Sequence, residues 1–267
     1  MAEQVSWVPE GVDTGKPSAA RLYDYLLGGG HNFAADRALA EKFLKAQPNG
    51  RAIARLNRAF LRRSVLFMID EGIRQFLDLG SGIPTVGNVH EIAQKADPES
   101  QVVYVDFEEV AVAHSQLILE QDPRAAIIQE DMTRPDAVLH AARESGLIDF
   151  TRPVGVLTAG VFHFVPPEAG PEAIVAAYRD AVPAGSYLAV SQFTQDLQPE
   201  EMAGIVEVMK QSQNPMYPRT KSEIAALFAG FDLVEPGIVP TPLWRPEGTN
   251  TDDPGKAGIY AAVGRKR

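Results

Sequence analysis

Phe76-Leu77-Asp78-Leu79-Gly80-Ser81-Gly82-Ile83-Pro84 is the stretch on which the reading of this chain turns. An apolar run carrying one acid meets two glycines one residue apart, and a helix-forming segment follows. That is the pattern of a strand, a sharp turn and a helix start. Glycine serves where the backbone must bend sharply, or where a ligand touches the main chain without a Cβ in between. A dinucleotide fingerprint would place a third glycine at position 85, where Thr85 stands. Asp78, just before the turn, would also repel a pyrophosphate. It suits a ligand bearing an ammonium group instead. The bland alternative is a plain βα turn.

Outward from this turn, short apolar runs alternate with helical stretches. Strands are expected at Gln75–Asp78, Val102–Asp106, Ala126–Gln129, Val154–Leu157 and Tyr187–Gln192. Helices are expected near Thr85–Lys95, Glu109–Gln121, Pro135–Glu144 and Pro171–Val182. Strands spaced by helices of this length indicate βαβ units and a parallel sheet, and near-continuous apolar strands fit a sheet covered on both faces. Thr220-Lys221-Ser222-Glu223 is a capping box opening a helix Ser222–Ala229 that Gly230 ends. Phe231–Glu235 and Gly258–Val263 then read as a closing antiparallel pair. Upstream of Gln75 the chain reads as helical. Ser18 caps a helix through Leu27, stopped by Gly28–Gly30; a second runs Ala34–Ala46, ended by Pro48; a third runs Arg51–Glu71. The expectation is an α/β fold, Rossmann-like, with a mostly parallel seven-stranded sheet and helices on both faces. It divides the chain into a loose tail (1–16), an N-terminal helical cap (17–72) and the α/β domain (73–267).

Three strands in succession end in acids. Asp106 closes Val103-Tyr104-Val105-Asp106, 24 residues after Gly82, near the spacing of a ribose-binding carboxylate. A helix N-cap is its alternative role, and the two are compatible. Asp131 follows the third strand, where it can accept from an adenine amino group while Met132 packs on the ring; a capped turn is the alternative. Ligands of open α/β sheets bind at the C-terminal edge, so three acids there say more than any one. With Asp78 at the turn, the set suits S-adenosylmethionine (SAM), which has an ammonium group, a ribose and an adenine but no phosphate.

The chain has 267 residues and a net charge of −10, which counts against nucleic acid as a partner. It holds no cysteine, which removes disulfides, thiolate metal sites, radical SAM clusters and cysteine-dependent cytosine methylation. No His/Asp/Glu cluster has metal spacing, so no metal is expected. No run approaches the roughly 20 apolar residues of a membrane span, and Met1–Pro9 does not read as a signal peptide. A cytoplasmic protein without membrane attachment is the default expectation. Nothing here sets the oligomeric state.

Further motifs resemble a known family. Tyr23–Gly29, Asn32–Arg37, Asn57–Arg63, Asp78–Thr85, Gly87–His90, Val103–Asp106 and His163–Pro166 stand in the order of the elements of an actinobacterial SAM-dependent methyltransferase family, class I and Rossmann-like. The resemblance runs from about Pro17 to the C-terminus. It implies a SAM-binding fold and methyl transfer, and it supplies no acceptor. His31 stands where many members carry Lys or Asp.

In such a fold the helices preceding the first strand cover the cofactor cleft, and Tyr23, Asn32 and Phe33 could close over it; a helical hairpin with a glycine cap is the alternative. Arg51, Arg55, Arg58 and Arg62 share one helix face, with a solvated face as the plainer reading. Arg58 is the one assigned to the site. The candidate cofactor residues are thus Tyr23, Asn32, Phe33, Arg58, Asp78, Gly80, Ser81, Gly82, Asp106, Phe107, Asp131, Met132 and Ala159. The fourth strand runs into Leu157-Thr158-Ala159-Gly160-Val161-Phe162-His163-Phe164, where acceptors usually meet the methyl group. His163 is the candidate general base, and a packed structural histidine is the alternative. Asn214-Pro215-Met216-Tyr217 lies after the fifth strand and reads as a loop. The expected function is methyl transfer to a small molecule. A non-catalytic SAM-binding protein and, behind it, an NAD-dependent oxidoreductase are the alternatives.

Overall fold

Strand β1 (Gln75–Leu79) is buried along its whole length, and its side chains split between two cores. Leu77 and Leu79 enter one apolar cluster; Phe76 enters another on the opposite face. Val103 and Val105 of β2 (Gln101–Asp106) join the first, Val102 and Tyr104 the second. This alternation is what period-two side chains produce when both faces of a sheet are covered. In the computed structural model, which describes residues 12–84, 87–248 and 253–267, β1 sits mid-sheet in the order β3-β2-β1-β4-β5-β8-β6. Here β3 is Ala125–Gln129, β4 Gly155–Ala159, β5 Tyr187–Phe193, β6 Phe231–Leu233 and β8 Ile259–Lys266. Strands β1 to β5 pair in parallel, and β8 runs antiparallel between β5 and β6.

The parallel sheet and its antiparallel closing pair agree with the reading above. The sheet has eight strands rather than seven, because the outer edge beside β8 is shared by two short strands where only one, Phe231–Glu235, is expected from the sequence. After β6, Pro236 and Gly237 interrupt that edge, and β7 (Val239–Pro240) resumes pairing farther along β8. Thr85 and the first residues of the tail lie outside the described residues, and the helix expected from Thr85 is described as α4 (Val89–Ala96). The remaining crossover helices are α5 (Glu109–Leu119), α6 (Pro135–Glu144) and α7 (Pro171–Ala181), with α9 (Lys221–Ala226) before β6.

Helices α1 (Ala19–Leu27) and α2 (Ala34–Ala46) stand where the sequence puts them. The Ser18 side chain accepts from Arg21 N, and Gly28 closes α1 in the left-handed region. Helix α3 (Gly50–Asp70) works at both ends. Ala54 packs with α1 and α2, while Val65, Met68 and Ile69 lie on the sheet against Phe76 and Val102. One helix was not expected: α8 (Pro199–Met209) packs Met202, Ile205 and Met209 into the same apolar cluster as α1 and α2. Pro199 at its first turn, acids at 200 and 201, and apolar residues at 202, 205 and 209 were the available signal.

Candidate functional site

A cavity of about 480 Å³ lies at the C-terminal edge of the sheet, beneath α1, α2, α3 and α8. It falls where the strand order reverses between β1 and β4, the place where open α/β sheets leave a crevice. Its volume lies within the range of about 300–1,000 Å³ usual for small-molecule pockets.

The glycine turn forms one wall. Gly80 N and Ser81 N donate to the carbonyl of Val105, at 2.8 and 3.1 Å, which folds the turn onto β2. Gly80 has φ +68°, and a Cβ there would come 2.2 Å from Val161 Cγ2. Gly82 N donates to Asp106 Oδ2 at 2.7 Å, and Asp106 Oδ1 accepts from Glu108 N at 2.9 Å. The acid ending β2 thus pins the turn beside it and caps its own loop. Asp78 is buried on the same wall. Burial pushes its carboxyl up to about 7, Arg58 pulls it down, and Asp106 pushes it up further. Burial likewise raises Asp106, against the backbone donors that lower it. Beyond β3, Asp131 accepts from Thr133 N, and the carbonyl of buried Met132 accepts from Tyr178. Phe107 leaves 53% of its surface exposed at the cavity wall.

The opposite wall comes from α1 and α3, which together with α2 make up the cap. Ser191 Oγ donates to Asn57 Oδ1 (2.6 Å), Asn57 Nδ2 donates to the Tyr23 hydroxyl (3.1 Å), and that hydroxyl donates to the carbonyl of Ala54 (3.1 Å). This chain joins β5 to α3 and α1. A second tie is buried: Arg21 of α1 pairs with Asp36 of α2 at 2.9 Å and with Glu108 at the head of α5. His163 lies in the short turn Phe162–Phe164 after β4, between the rings of Phe164 and Phe193. Burial drives its imidazole down to about 3, and the Arg219 guanidinium adds to the effect. The ring is therefore neutral at neutral pH and weakly basic.

Of the residues singled out in the sequence, Tyr23, Arg58, Asp78, Gly80, Ser81, Gly82, Asp106, Phe107, Asp131, Met132, Ala159 and His163 all line this cavity. Asn32 and Phe33 do not. The Asn32 amide turns to Asp24 Oδ2 (2.8 Å) and the Gly29 carbonyl, inside its own loop. Phe33 opens α2 and packs beside Ile83, with the Arg21 guanidinium 5.2 Å from its ring centre. The arginine stripe also divides. Arg51 donates to Tyr25 O, Arg62 pairs with Glu247 at the surface, Arg55 is exposed, and Arg58 alone of the four lines the cavity. Sequence reading passed over Asn57, Phe193 and Glu108. It also set aside Asn214–Met216, which forms a loop as expected yet returns to the cavity.

Comparisons with known proteins give the family and the fold. A profile described as S-adenosyl methyltransferase matches residues 5–267. The chain belongs to the S-adenosyl methyltransferase family. Its cofactor is SAM. It is similar to a candidate methyltransferase from Thermobifida fusca YX, at 40% identity over 98% of this chain and 100% of that one, with a TM-score of 0.92. It is similar also to a DUF574 family protein from Streptomyces avermitilis MA-4680, at 37% identity over 96% and 99%, with a TM-score of 0.92. The pyocyanin biosynthetic protein PhzM, at 18% identity over 84% of this chain and 61% of that one, with a TM-score of 0.52, shares the fold. No curated protein matches the chain.

The cavity fits the cofactor of the family on its own evidence. Ser81 Oγ is buried there with no hydrogen-bond partner, and a Cβ on Gly82 would meet open space. Asp78 and Arg58 set a carboxyl group and a guanidinium on the same wall, the two kinds of partner that a zwitterionic amino-acid end can use. The exposed Phe107 ring is a surface that a planar base can cover.

Proposed function

We propose that this chain transfers the methyl group of SAM to a small-molecule acceptor enclosed beneath α1, α2 and α8. The observation that carries the reading is the convergence of Asp78, Asp106 and Asp131, each at the end of a neighbouring strand, on one cavity with the glycine turn. Asp78 would take the ammonium group and Arg58 the carboxylate of the cofactor. Asp106 would take the ribose hydroxyls and Asp131 the adenine amino group, with Met132 and Phe107 against the ring. Gly80, Gly82 and Ala159 keep the floor low. Tyr23 closes the cavity from the cap. When bound, SAM supplies a methyl group on a sulfonium. The protein's task is then to hold the acceptor in line and keep water out.

Isothermal titration with S-adenosylhomocysteine tests the cofactor half, and one-to-one binding is expected. Turnover of labelled SAM with fractionated metabolites tests the acceptor half. One observation favours a second reading, that of a SAM-binding protein without turnover: His163 is too weak a base to deprotonate an acceptor at neutral pH. Labelled product from any metabolite fraction rejects that second reading, since an acceptor with no proton to lose needs no base.

A further inference from the structure

The charge on the cavity wall is segregated. Among the described residues, its charged side chains are Arg58, Asp78, Asp106, Glu108, Glu130 and Asp131. All of these except Arg58 lie at the ends of β1, β2 and β3, and Arg58 faces Asp78 closely enough to lower its pKa. The other half is walled by Leu26, Phe43, Ile53, Phe164, Phe193 and Met209, drawn from α1, α2, α3, the turn after β4, the end of β5 and α8. No charged side chain stands among them. An ion placed there would lose its hydration and meet no charged side chain on the wall; the Arg219 guanidinium, which acts on His163 from outside the lining, is already held by the carbonyls of Phe162 and Val165.

The polar groups on that side are mostly committed within the protein. The Tyr23 hydroxyl donates to Ala54 O and accepts from Asn57, and Asn57 is also held by Ser191. Asn214 Oδ1 accepts from Ala19 N. His163 differs. It is 2% exposed, it lines the cavity, and its Nδ1 has no hydrogen-bond partner. Buried polar atoms are rarely left so, and a ligand atom is the natural partner for one on a cavity wall.

We infer that this half of the cavity holds an uncharged, largely apolar small molecule with a single hydrogen-bonding group, such as a phenol or a neutral heteroaromatic, placed against the imidazole of His163. The inference rests on the methyl-transfer reading only in naming this molecule the acceptor. The imidazole stays neutral, so it offers either a donor or an acceptor according to its tautomer, and no charge. His163 is then a positioning residue for binding.

Titration calorimetry at neutral pH, on protein saturated with S-adenosylhomocysteine, tests this with three probes on one ring frame: naphthol, naphthoate and naphthylmethylamine. Naphthol is expected to bind about tenfold or more tighter than the anion and the cation, the order of penalty for burying an unpaired charge. His163→Phe keeps an aromatic ring between Phe164 and Phe193 and removes the hydrogen-bonding atoms. It is expected to weaken naphthol about tenfold while leaving the affinity for S-adenosylhomocysteine unchanged. Equal or tighter binding of either charged probe overturns the inference, as does the absence of naphthol binding. Full retention of naphthol by the variant overturns the role of His163. The wild-type comparison stands even if the variant does not fold. Should S-adenosylhomocysteine itself fail to bind, the cofactor reading fails instead, and the same three probes are compared on the protein alone.

Discussion

Asp78 ties cofactor affinity to pH through one buried carboxyl. Its folded pKa of about 7 lies well above the ordinary value of 3.8. Folding thus favours its protonated form. The stability linked to it is full below about 4 and is lost as pH rises to about 7. A cationic ligand group reverses the preference and draws the proton off. S-adenosylhomocysteine is therefore expected to bind more weakly as pH falls below 7, by up to about tenfold per unit, measured by calorimetry from pH 5 to 8. Asp78→Asn should weaken binding and flatten the profile; a flat profile in the parent protein would count against the assigned role. Gly80 makes a second claim at this scale. Gly80→Ala combines a left-handed φ of +68° with a Cβ 2.2 Å from Val161 Cγ2. A loss of about 1–3 kcal/mol or more is expected in urea melts. Adding Val161→Ala should recover the part due to the clash, leaving the part due to φ.

At the scale of elements, the cap is held to the sheet by buried polar ties as well as apolar packing. Arg21 is 2% exposed and joins α1 to α2 through Asp36 and to the head of α5 through Glu108. Removing one member of such a set strands its partners without water. Arg21→Ala is expected to cost about 3–5 kcal/mol, with faster hydrogen exchange in α1 and α2 than in β1 to β5. A loss below about 1 kcal/mol would show that the pairing adds no more than a surface ion pair. The Ser191–Asn57–Tyr23 chain does the same from β5. Gly160 lets it lie close, since a Cβ there would sit 2.9 Å from Asn57 Nδ2.

For the whole molecule, the cavity roof is built from helices far apart in sequence, so ligand binding and cap order should be linked. At a hundred times its dissociation constant, S-adenosylhomocysteine is expected to add about 2.7 kcal/mol to stability. Hydrogen-exchange protection should rise in α1, α2 and α8 as well as at the glycine turn. Protection confined to the turn would show that the cap is indifferent to the ligand. The apolar clusters on the two sheet faces should change least, being shielded already.

Much of this protein was legible before its tertiary structure. Period-two burial and the spacing of strands and helices are local, so β1 to β5 and their parallel direction could be read from short windows, while their order in the sheet could not. The acids at 78, 106 and 131 were readable for the same reason, since a parallel sheet brings successive strand ends to one edge. Tertiary structure decided what local pattern cannot express. Asn32 and Phe33 sit in a plausible lid loop, yet Asp24 and Arg21 draw them into the cap. Arg58 was separated from its three neighbours by facing Asp78. Helix α8 and the loop at 214–216 come from beyond the fifth strand to close the far wall, and the sequence does not mark that distance as short. The Asp78–Gly82 turn follows from the order of residues along the chain. The apolar chamber facing it depends on which helices pack together, and it exists only in the folded protein.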